Sequence, residues 1–328
     1  MTGALTTLAI TFANYGIPTL PMIPELVLLL SLNPRLQDVS FSRFWTRPIH
    51  VNGTVVQVPL KNLQCLTVEG DSCSTLELVQ RLDYPTQMEH ISLNVARCAP
   101  KHILDTLGRL ARDHLQCTGR SQGNLGIYMR CYPTTISILA NAITEVAGQA
   151  RRDTFTKFTA SLRDGIVYND YVKLCTDFVA HVPVQHVVHF GGEMSMDIVK
   201  KSVIIMPNIK ELHLVNAQLE PGFLQLEPPA PHGPLLPSLQ RLCLEDVFSD
   251  EGSWQPLTQF LVHQRVAVED ILLTLLGPHE HICKDVLQEI LDVVEKLAFD
   301  WLTDDFCPFE RCSSTGEEEM AVGESQVV

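Results

Sequence analysis

The stretch GRSQG, residues 119–123, matches the G-x-S-x-G pattern that presents a serine nucleophile on a sharp turn. That geometry requires a strand before Ser121 and a helix after it, so that the hydroxyl projects above a sheet. Here a helical pattern precedes Ser121, and an alternating strand pattern, NLGIYMRC, follows it. The reversed order favours a loop between a helix and a strand over a hydrolase nucleophile.

The histidines and cysteines offer one arrangement that resembles a metal site. In HEHIC, His279, His281 and Cys283 alternate, so an extended segment would present all three on one face to Zn²⁺. A fourth ligand is missing nearby in the sequence, and the stretch precedes a helical pattern. In HVPVQHVVH, His186 and His189 fall on opposite faces of a strand. The sequence therefore predicts no metal, no cofactor and no catalytic residue.

Charge and hydropathy exclude two classes of partner. The chain has 328 residues and a formal charge of −14, whereas a protein that binds nucleic acid backbones needs a basic face. Pro18, Pro21 and Pro24 interrupt the apolar N-terminus, which has no basic residue before Arg35. A signal peptide needs a basic start and an unbroken apolar run, and a membrane helix needs about twenty apolar residues. We expect neither nucleic acid nor a membrane as partner.

The ten cysteines are scattered, and none forms a C-x-x-C pair. Most lie among apolar residues, as buried thiols do. A small secreted scaffold would instead be dense in cysteines at regular spacing. The sequence therefore predicts an intracellular protein, of the cytoplasm or the nucleus, with reduced thiols.

A leucine pattern recurs along the chain. Six stretches share the spacing apolar-x-x-apolar-x-apolar, at intervals of 25–30 residues within an early and a late group. The last two apolar residues of each stretch share one face of a short strand, and a repeat of this period is typical of a solenoid. The six sets are Leu36, Val39, Phe41; Leu63, Leu66, Val68; Met88, Ile91, Leu93; Ile209, Leu212, Leu214; Leu239, Leu242, Leu244; and Val268, Ile271, Leu273.

Other stretches complete an alternation of strands and helices. A strand that returns parallel to its predecessor through a helix gives an α/β order, so we predict an α/β fold arranged as an irregular solenoid. The predicted helices are 73–85, 98–114, 134–150, 169–182 and 283–297, with a short one near SMDIVKKSV, and the further strands are 124–131, 155–162 and 184–190.

The same patterns predict how the chain is divided. A ragged N-terminal segment, 1–23, precedes a solenoid over 24–302. A Pro-rich stretch, 219–237, is expected to be a loop on one side of the solenoid. The acidic tail, 303–328, has no periodicity and is expected to be disordered.

The order of these elements resembles the leucine-rich-repeat-like region of fungal, mushroom-type F-box proteins, over roughly residues 24–301. The resemblance implies an irregular leucine-rich-repeat-like solenoid that recognises substrates for ubiquitin ligation. The usual repeat Asn or Cys is replaced, which makes the curvature irregular, by Phe44, Asp71, Ala96, Ala217 and Val247. The stretches that carry the likeness are VPLKNLQCLTVEGDSCSTLELVQRLDYPTQMEHISLNV, MPNIKELHLVNA, LPSLQRLCLEDVFSD and ICKDVLQEILDVVEKLAFDW.

The F-box of that family is not matched. IPELVLLLSLN, residues 23–33, echoes only part of its LPxE start. The resemblance therefore implies a target-binding region without the F-box, and binding to the adaptor of a cullin-type ubiquitin ligase is not carried over. Two alternatives remain at this point: a truncated relative that binds targets without an adaptor, or an incomplete chain.

We expect a non-enzymatic protein-interaction module with an unknown target protein. Residues between the motif leucines face outward and are free to vary, which makes them the candidates for partner binding. Those predicted to contact the target are Gln64, Thr67, Glu211, His213, Arg241 and Glu245. The alternative is a hydrolase, whose candidate residues are Ser121 for a nucleophile, or His279, His281 and Cys283 for a metal.

Overall fold

A computed structural model describes the residues 5–12, 23–44, 57–83, 85, 88–96, 109–110, 112–114, 124–132, 135–146, 149–163, 168–218, 236–247, 254–265, 271–276, 288, 290–294 and 296–300. The chain divides into two compact units. Unit 1 is Met1–Gly123, Met129–Ala142 and Asp153–Pro183; unit 2 is Asn124–Tyr128, Ile143–Arg152 and Val184–Val328.

The elements of the first part of the chain include, among the described residues, β1 (Thr7–Thr11), α1 (Ile23–Ser31), β2 (Asp38–Phe44), β3 (Val58–Pro59), β4 (Cys65–Asp71), α2 (Ser72–Gln80), β5 (Leu82–Asp83), β6 (His90–Ala96), β7 (Asn124–Tyr132), β8 (Thr135–Val146), β9 (Gln149–Arg163) and α3 (Tyr168–His181). In unit 1 the strands β1, β2, β4, β6 and β9 are parallel neighbours in that order. The short strands β3 and β5 form a separate parallel pair.

Unit 2 continues the parallel arrangement. A 3-10 turn at Val184–His186 leads into its elements, which are β10 (Val187–Glu193), α4 (Met196–Ile205), β11 (Glu211–Val215), β12 (Arg241–Glu245), α5 (Gln255–Arg265), β13 (Leu272–Leu276) and β14 (Lys296–Asp300). The strands β10 to β14 are parallel neighbours in chain order. The predicted α/β fold, a mostly parallel sheet that alternates with helices, is confirmed.

The motif residues lie in register across neighbouring strands and form the core of each unit. The twelve aligned residues given next are at most 1 % exposed. The aligned sets in unit 1 are Val39, Leu66, Ile91 and Phe41, Val68, Leu93; those in unit 2 are Leu212, Leu242, Leu273 and Leu214, Leu244, Leu275.

The sequence prediction of the sixth motif is wrong by two residues. The register pairs Leu273 with Leu242 and Leu275 with Leu244, two residues later than the predicted Ile271 and Leu273. The error arises because ILLTLL contains several overlapping apolar spacings. The position that corresponds to the first motif residue is held by an aspartate rather than an apolar residue.

Four further strands have the same pattern in register with the motif strands, although the sequence search did not include them. In β9 and β10 the last motif position is a small residue, Ala160 or Gly192, which hides the likeness to a leucine repeat. The aligned pairs are Leu8 and Ile10 in β1, Phe158 and Ala160 in β9, Phe190 and Gly192 in β10, and Leu297 and Phe299 in β14.

A tight turn brings the chain into the motif strands. The N–H of the first motif residue donates to the carbonyl three residues upstream, as in a β-turn. Pro34 and Pro237 occupy the second position of such turns, where the fixed φ of proline fits. This explains why a proline precedes the motif. The four bonds are Leu36 to Asn33, Leu63 to Leu60, Met88 to Pro85 and Leu239 to Leu236, with N···O distances of 3.0–3.2 Å.

One backbone carbonyl at each strand entry accepts from two N–H groups of the next strand. We call these the strand-entry carbonyls; they belong to Thr6, Gln37 and Gln64 in unit 1 and to Lys210 in unit 2. Each accepts from the equivalent residue of the next strand and from the residue after it, at N···O distances of 2.7–3.1 Å. These two hydrogen bonds to one carbonyl fix the register of each such pair of strands.

Three residues near strand ends have a left-handed backbone conformation. Arg43, Asn216 and Asp246 have φ of 55°, 52° and 49°, and each lies two residues after the last motif residue of its strand. Asn216 and Asp246 directly follow β11 and β12, and Asn and Asp tolerate this region better than most residues. Arg43 lies inside β2, where the pairing with β4 is irregular.

One predicted helix is a strand. The stretch 134–150 contains β8, in which Ile136, Ile138 and Ala140 are buried and alternate with half-buried residues. Its apolar residues fit both a helical period and a period of two, and its β-branched residues favour the strand. Only two residues separate β7 from β8 and β8 from β9, and connections this short join antiparallel strands.

The other predicted elements are confirmed where they are described, except at the ends of two helices: residues 82–83 of 73–85 form β5, and residues 296–297 of 283–297 belong to β14. The helices at 73–85, 169–182 and SMDIVKKSV correspond to α2, α3 and α4, and the strands at 124–131 and 155–162 lie in β7 and β9. The strand at 184–190 begins with the 3-10 turn. Of 98–114, residues 109–110 and 112–114 are described and helical, as are 288 and 290–291 of 283–297. The tail 303–328 and most of 219–237 lie outside the described residues.

The segment 1–23, expected to precede the repeats, contains β1, which pairs in register with β2. Its residues Leu8 and Ile10 align with Val39 and Phe41 of the next strand. The parallel sheet of unit 1 thus begins within that segment.

Two glycines of unit 2 provide a test of the close approach between strands. A Cβ on Gly191 would overlap the backbone oxygen of His213 and lie 2.8 Å from its Cβ, whereas a Cβ on Gly126 would lie 2.8 Å from Ile143 Cδ1. The side chain of Ile143 is able to rotate away, but the backbone of His213 is held in the sheet. We expect Gly191→Ala to lower the free energy of unfolding by about 1–3 kcal/mol and Gly126→Ala to lower it less.

Urea denaturation followed by circular dichroism measures both glycine variants. Equal stability of Gly191→Ala and Gly126→Ala would contradict the close approach of β10 to β11.

Candidate partner-binding surfaces

The outward face of unit 1 presents a row of hydroxyl groups. Ser40, Thr67, Ser92 and Thr159 lie side by side on β2, β4, β6 and β9. We call these four residues the hydroxyl row. All four are half-buried. Small hydroxyls both donate and accept hydrogen bonds, so a row of them suits a polar protein surface better than an apolar one.

Two of the predicted partner-binding residues belong to this face. Thr67 is in the hydroxyl row, and Gln64 has an exposed side chain just before β4. The backbone carbonyl of Gln64 is a strand-entry carbonyl, so its backbone is fixed while its side chain reaches solvent. Both residues are accessible to a partner in this conformation.

Cys65 lies next to the hydroxyl row and is not an activated nucleophile. Burial raises the pKa of its thiol, and so do the hydrogen bond and negative charge of Asp38 and the charge of Glu89. Thr7 Oγ1 donates to Asp38 Oδ2 at 3.3 Å, which helps to hold the carboxylate in place. At neutral pH the thiol of Cys65 therefore stays protonated. A nucleophilic cysteine reacts as a thiolate, so Cys65 is not suited to that role.

The outward face of unit 2 carries a row of charged residues. His189, Glu211 and Arg241 lie side by side on β10, β11 and β12. We call them the charged row. Glu211 Oε2 lies 3.8 Å from His189 Nδ1 and 3.8 Å from an Arg241 guanidinium nitrogen. Arg241 is the most accessible of the three, with 33 % of its side chain exposed.

Two other predicted partner-binding residues are buried. His213 and Glu245 are 7 % and 4 % exposed, and His213 Nε2 lies 3.0 Å from Glu245 Oε2. The alternation of a strand assigns a residue to one face, but it does not decide whether that face is open. The side chains of His213 and Glu245 are hydrogen-bonded to each other and buried. In this conformation a partner therefore reaches Glu211 and Arg241, but not His213 and Glu245.

Sequence reasoning missed four members of these two rows. His189 was considered only in the search for a metal site, and Ser40, Ser92 and Thr159 were not considered. The signal that finds them is the register itself: the residue between the last two motif positions gives the hydroxyl row. The residue just before those two positions gives the charged row.

The residues proposed for chemistry are not placed by the structure. Ser121, His279, His281 and Cys283 lie outside the described residues. Across the described ranges, no group of three or more His, Cys, Asp or Glu side chains is arranged to hold a metal ion. Within that part of the chain, no helix is both long and apolar enough to cross a membrane.

The buried pair gives an asymmetric prediction for stability. Removing the imidazole leaves a buried carboxylate without its partner, so we expect His213→Leu to cost about 3–5 kcal/mol. Removing the carboxylate leaves an imidazole that is able to be neutral, so we expect Glu245→Leu to cost about 1–3 kcal/mol. Urea denaturation of both variants and of the double variant measures the costs and their coupling.

The double variant is the control for the buried pair. It removes both polar groups, so it should be closer to the native stability than His213→Leu. Additive losses would show that the two side chains do not interact.

The raised pKa of Cys65 predicts slow alkylation that Asp38 controls. A thiolate reacts with iodoacetamide, so the rate at neutral pH should be lower than in the urea-denatured chain. Asp38→Asn removes a negative charge, lowers the pKa and should increase the rate, though not to the denatured value because burial remains the largest cause. Peptide fragmentation by mass spectrometry distinguishes Cys65 from Cys73 in the same tryptic peptide.

Asp83→Asn is the matched control for Asp38→Asn, because Asp83 is exposed and is not among the groups that shift the pKa of Cys65. Equal rates for the two variants would contradict the influence of Asp38.

Comparison with known proteins found no match, either to a protein-family model or to a curated protein. The functional argument therefore rests on the repeated strands and on the two outward rows.

Proposed function

We propose that the chain is a non-catalytic protein-interaction module whose outward rows bind a target protein. We further propose that its parallel strands form an irregular leucine-rich-repeat-like solenoid, similar to the substrate-recognition region of F-box ubiquitin-ligase subunits. Binding to a ligase adaptor is not part of this proposal. The compartment proposed is the cytoplasm or the nucleus.

The contrast between the two faces of the parallel strands carries this proposal. The inward positions are apolar in every aligned set of the motif and are at most 1 % exposed. The outward positions differ between the units. The position between the last two motif residues holds hydroxyl groups in unit 1, but Gly191, His213, Cys243 and Thr274 in unit 2. Repeat proteins use this division, because the inner residues hold the fold and the outer residues are free to match a partner.

The chemistry of the rows favours a protein as the target. The charged row has both signs, with Glu211 between His189 and Arg241, and therefore complements a surface that also has both signs. Arginine is also enriched among the residues that dominate protein interfaces. The net charge of −14 disfavours binding to the phosphate backbone of a nucleic acid.

The finer likeness to a leucine-rich repeat rests on the turns and the strand entries. Each strand-entry carbonyl binds the next strand alone, which is the neighbour-to-neighbour contact of a repeat protein. An asparagine side chain also bridges adjacent turns in each unit: Asn62 Nδ2 donates to the carbonyl of Pro34 at 3.1 Å, and Asn208 Nδ2 to that of Gln185 at 2.8 Å.

The test compares a charge reversal within the charged row with a charge reversal elsewhere on the surface. Arg241→Glu places a negative charge beside Glu211, whereas Lys201→Glu makes the same charge change on the exposed surface of α4. The tagged full chain and both variants are used to purify partners from a fungal cell lysate, with quantitative mass spectrometry. We expect a target retained by Lys201→Glu and bound at least about tenfold more weakly by Arg241→Glu, a loss of about 1.4 kcal/mol.

A second pair of variants tests unit 1. Thr67→Arg inserts a long side chain into the hydroxyl row, and Gln80→Arg does so at an exposed position of α2. Calorimetry with the purified target confirms that binding is direct. If both row variants bind every partner as the native chain does, or if no protein is retained specifically, the proposal is wrong.

A further inference from the structure

The sulfur atoms of Cys131 and Cys175 lie 3.7 Å apart in unit 1. Cys131 is near the end of β7, and Cys175 is in the middle of α3. The two residues are 44 positions apart in the sequence, and neither belongs to the hydroxyl row or the charged row. We propose that Cys131 and Cys175 are a redox-active pair that a low-molecular-weight disulfide converts to an intramolecular disulfide linking β7 to α3.

The distance between the sulfurs supports this bond. A disulfide requires an S–S distance of about 2.05 Å, so the two atoms must approach by roughly 1.7 Å. Rotation about the χ1 angle of either cysteine is a local movement that shortens such a distance. Two cysteines that are far apart in the sequence thus have their sulfur atoms within a short movement of bonding distance.

The two thiols differ in their access to solvent. Cys131 is half-buried, whereas Cys175 is 0 % exposed and lies on the buried face of α3 with Val172, Phe178 and Val179. A small disulfide in solution therefore reaches the sulfur of Cys131 and not that of Cys175. This difference assigns Cys131 as the residue that reacts first and Cys175 as the residue that resolves.

The hydrogen bond between the thiols supports the same order. The hydrogen bond to Cys131 raises the pKa of Cys175 well above its usual range, and burial and the charge of Cys131 raise it further. Cys175 therefore keeps its proton at neutral pH. When Cys131 loses its own proton, the S–H of Cys175 is the donor of the pair, and this hydrogen bond stabilises the thiolate of Cys131. Only thiolates attack disulfides at a useful rate.

The reaction balances with oxidised glutathione as the oxidant. The thiolate of Cys131 attacks one sulfur of oxidised glutathione, a Cys131–glutathione disulfide forms, and one glutathione thiolate leaves. Bonding to glutathione removes the charge of Cys131 that raises the pKa of Cys175, so Cys175 is able to lose its proton to water. The thiolate of Cys175 then attacks the sulfur of Cys131 and displaces the second glutathione as a thiolate. Two protein thiols are oxidised by two electrons, and one molecule of oxidised glutathione is reduced to two of glutathione.

Peptide mapping of the folded full chain tests this proposal directly. The chain is incubated with oxidised glutathione, remaining thiols are blocked with N-ethylmaleimide in denaturant, and trypsin is added without reduction. Cleavage after Arg130, Arg151, Lys173 and Lys200 yields the peptides 131–151 and 174–200, each with one cysteine. We expect the two peptides to appear linked, two hydrogens lighter than their sum, and to separate after reduction.

Cysteine variants separate the two steps. Cys175→Ser should trap glutathione on Cys131, because the resolving sulfur is missing, whereas Cys131→Ser should leave Cys175 without glutathione. Cys65→Ser and Cys243→Ser, which change thiols of β4 and β12, should leave the linked peptide unchanged.

The outcomes that overturn the proposal are equally specific. The proposal is wrong if both peptides are found only as N-ethylmaleimide adducts after oxidation of the native chain. It is also wrong if Cys131 is joined to the other cysteines as often as to Cys175. A higher urea midpoint of the oxidised native chain, lost on reduction, would further support a bond that closes the long loop. That shift should be absent in Cys131→Ser, and its persistence there would also overturn the proposal.

Discussion

The structure depends on the strand-entry carbonyls more than on any single side chain. Each of them binds two N–H groups of the following strand, and it does so at the residue next to the first motif leucine. A turn closed by the backbone of that leucine delivers the chain to this point at a fixed angle. Because register is set at the entry, every later residue of a strand meets its counterpart in the next strand. The apolar core and the outward rows are both consequences of that alignment.

The inward rows explain why the fold tolerates so much variation outside. A buried leucine or valine stabilises the folded chain by about 1.5–3 kcal/mol relative to exposure, and the rows repeat this contribution in strand after strand. The outward residues of the same strands contribute less to the core, so their identity is free to change. Hydroxyl groups follow one another in unit 1, and charges of both signs follow one another in unit 2. A surface that varies over a constant core is suited to recognition.

The sequence predicted the elements that repeat and failed where periodicity was ambiguous. The leucine spacing located β2, β4, β6, β11 and β12, because three apolar positions recur there, and a proline lies shortly upstream of all of them but β4. It failed for 134–150, whose isoleucines and alanines satisfy the periods of both a helix and a strand. It also failed where Gly192 takes the place of a leucine, since glycine carries no apolar signal. The burial of His213 was not predictable, because the alternation of side chains assigns a residue to one face of a strand but does not show whether that face is covered.

The buried pair of His213 and Glu245 distinguishes between two registers of β12 against β11 that the leucines alone would allow. Shifting β12 by two residues against β11 would still place leucines inward, because Leu242 and Leu244 are interchangeable in that respect. The same shift would move Glu245 away from His213 and leave a buried carboxylate without its partner, which costs several kcal/mol. Gly191 adds a constraint on β10 against β11, because a shift of two residues would place His189 or Glu193 opposite His213, where the backbone leaves no space for a side chain. We infer that the polar pair contributes specificity of register, while the leucines contribute most of the stability.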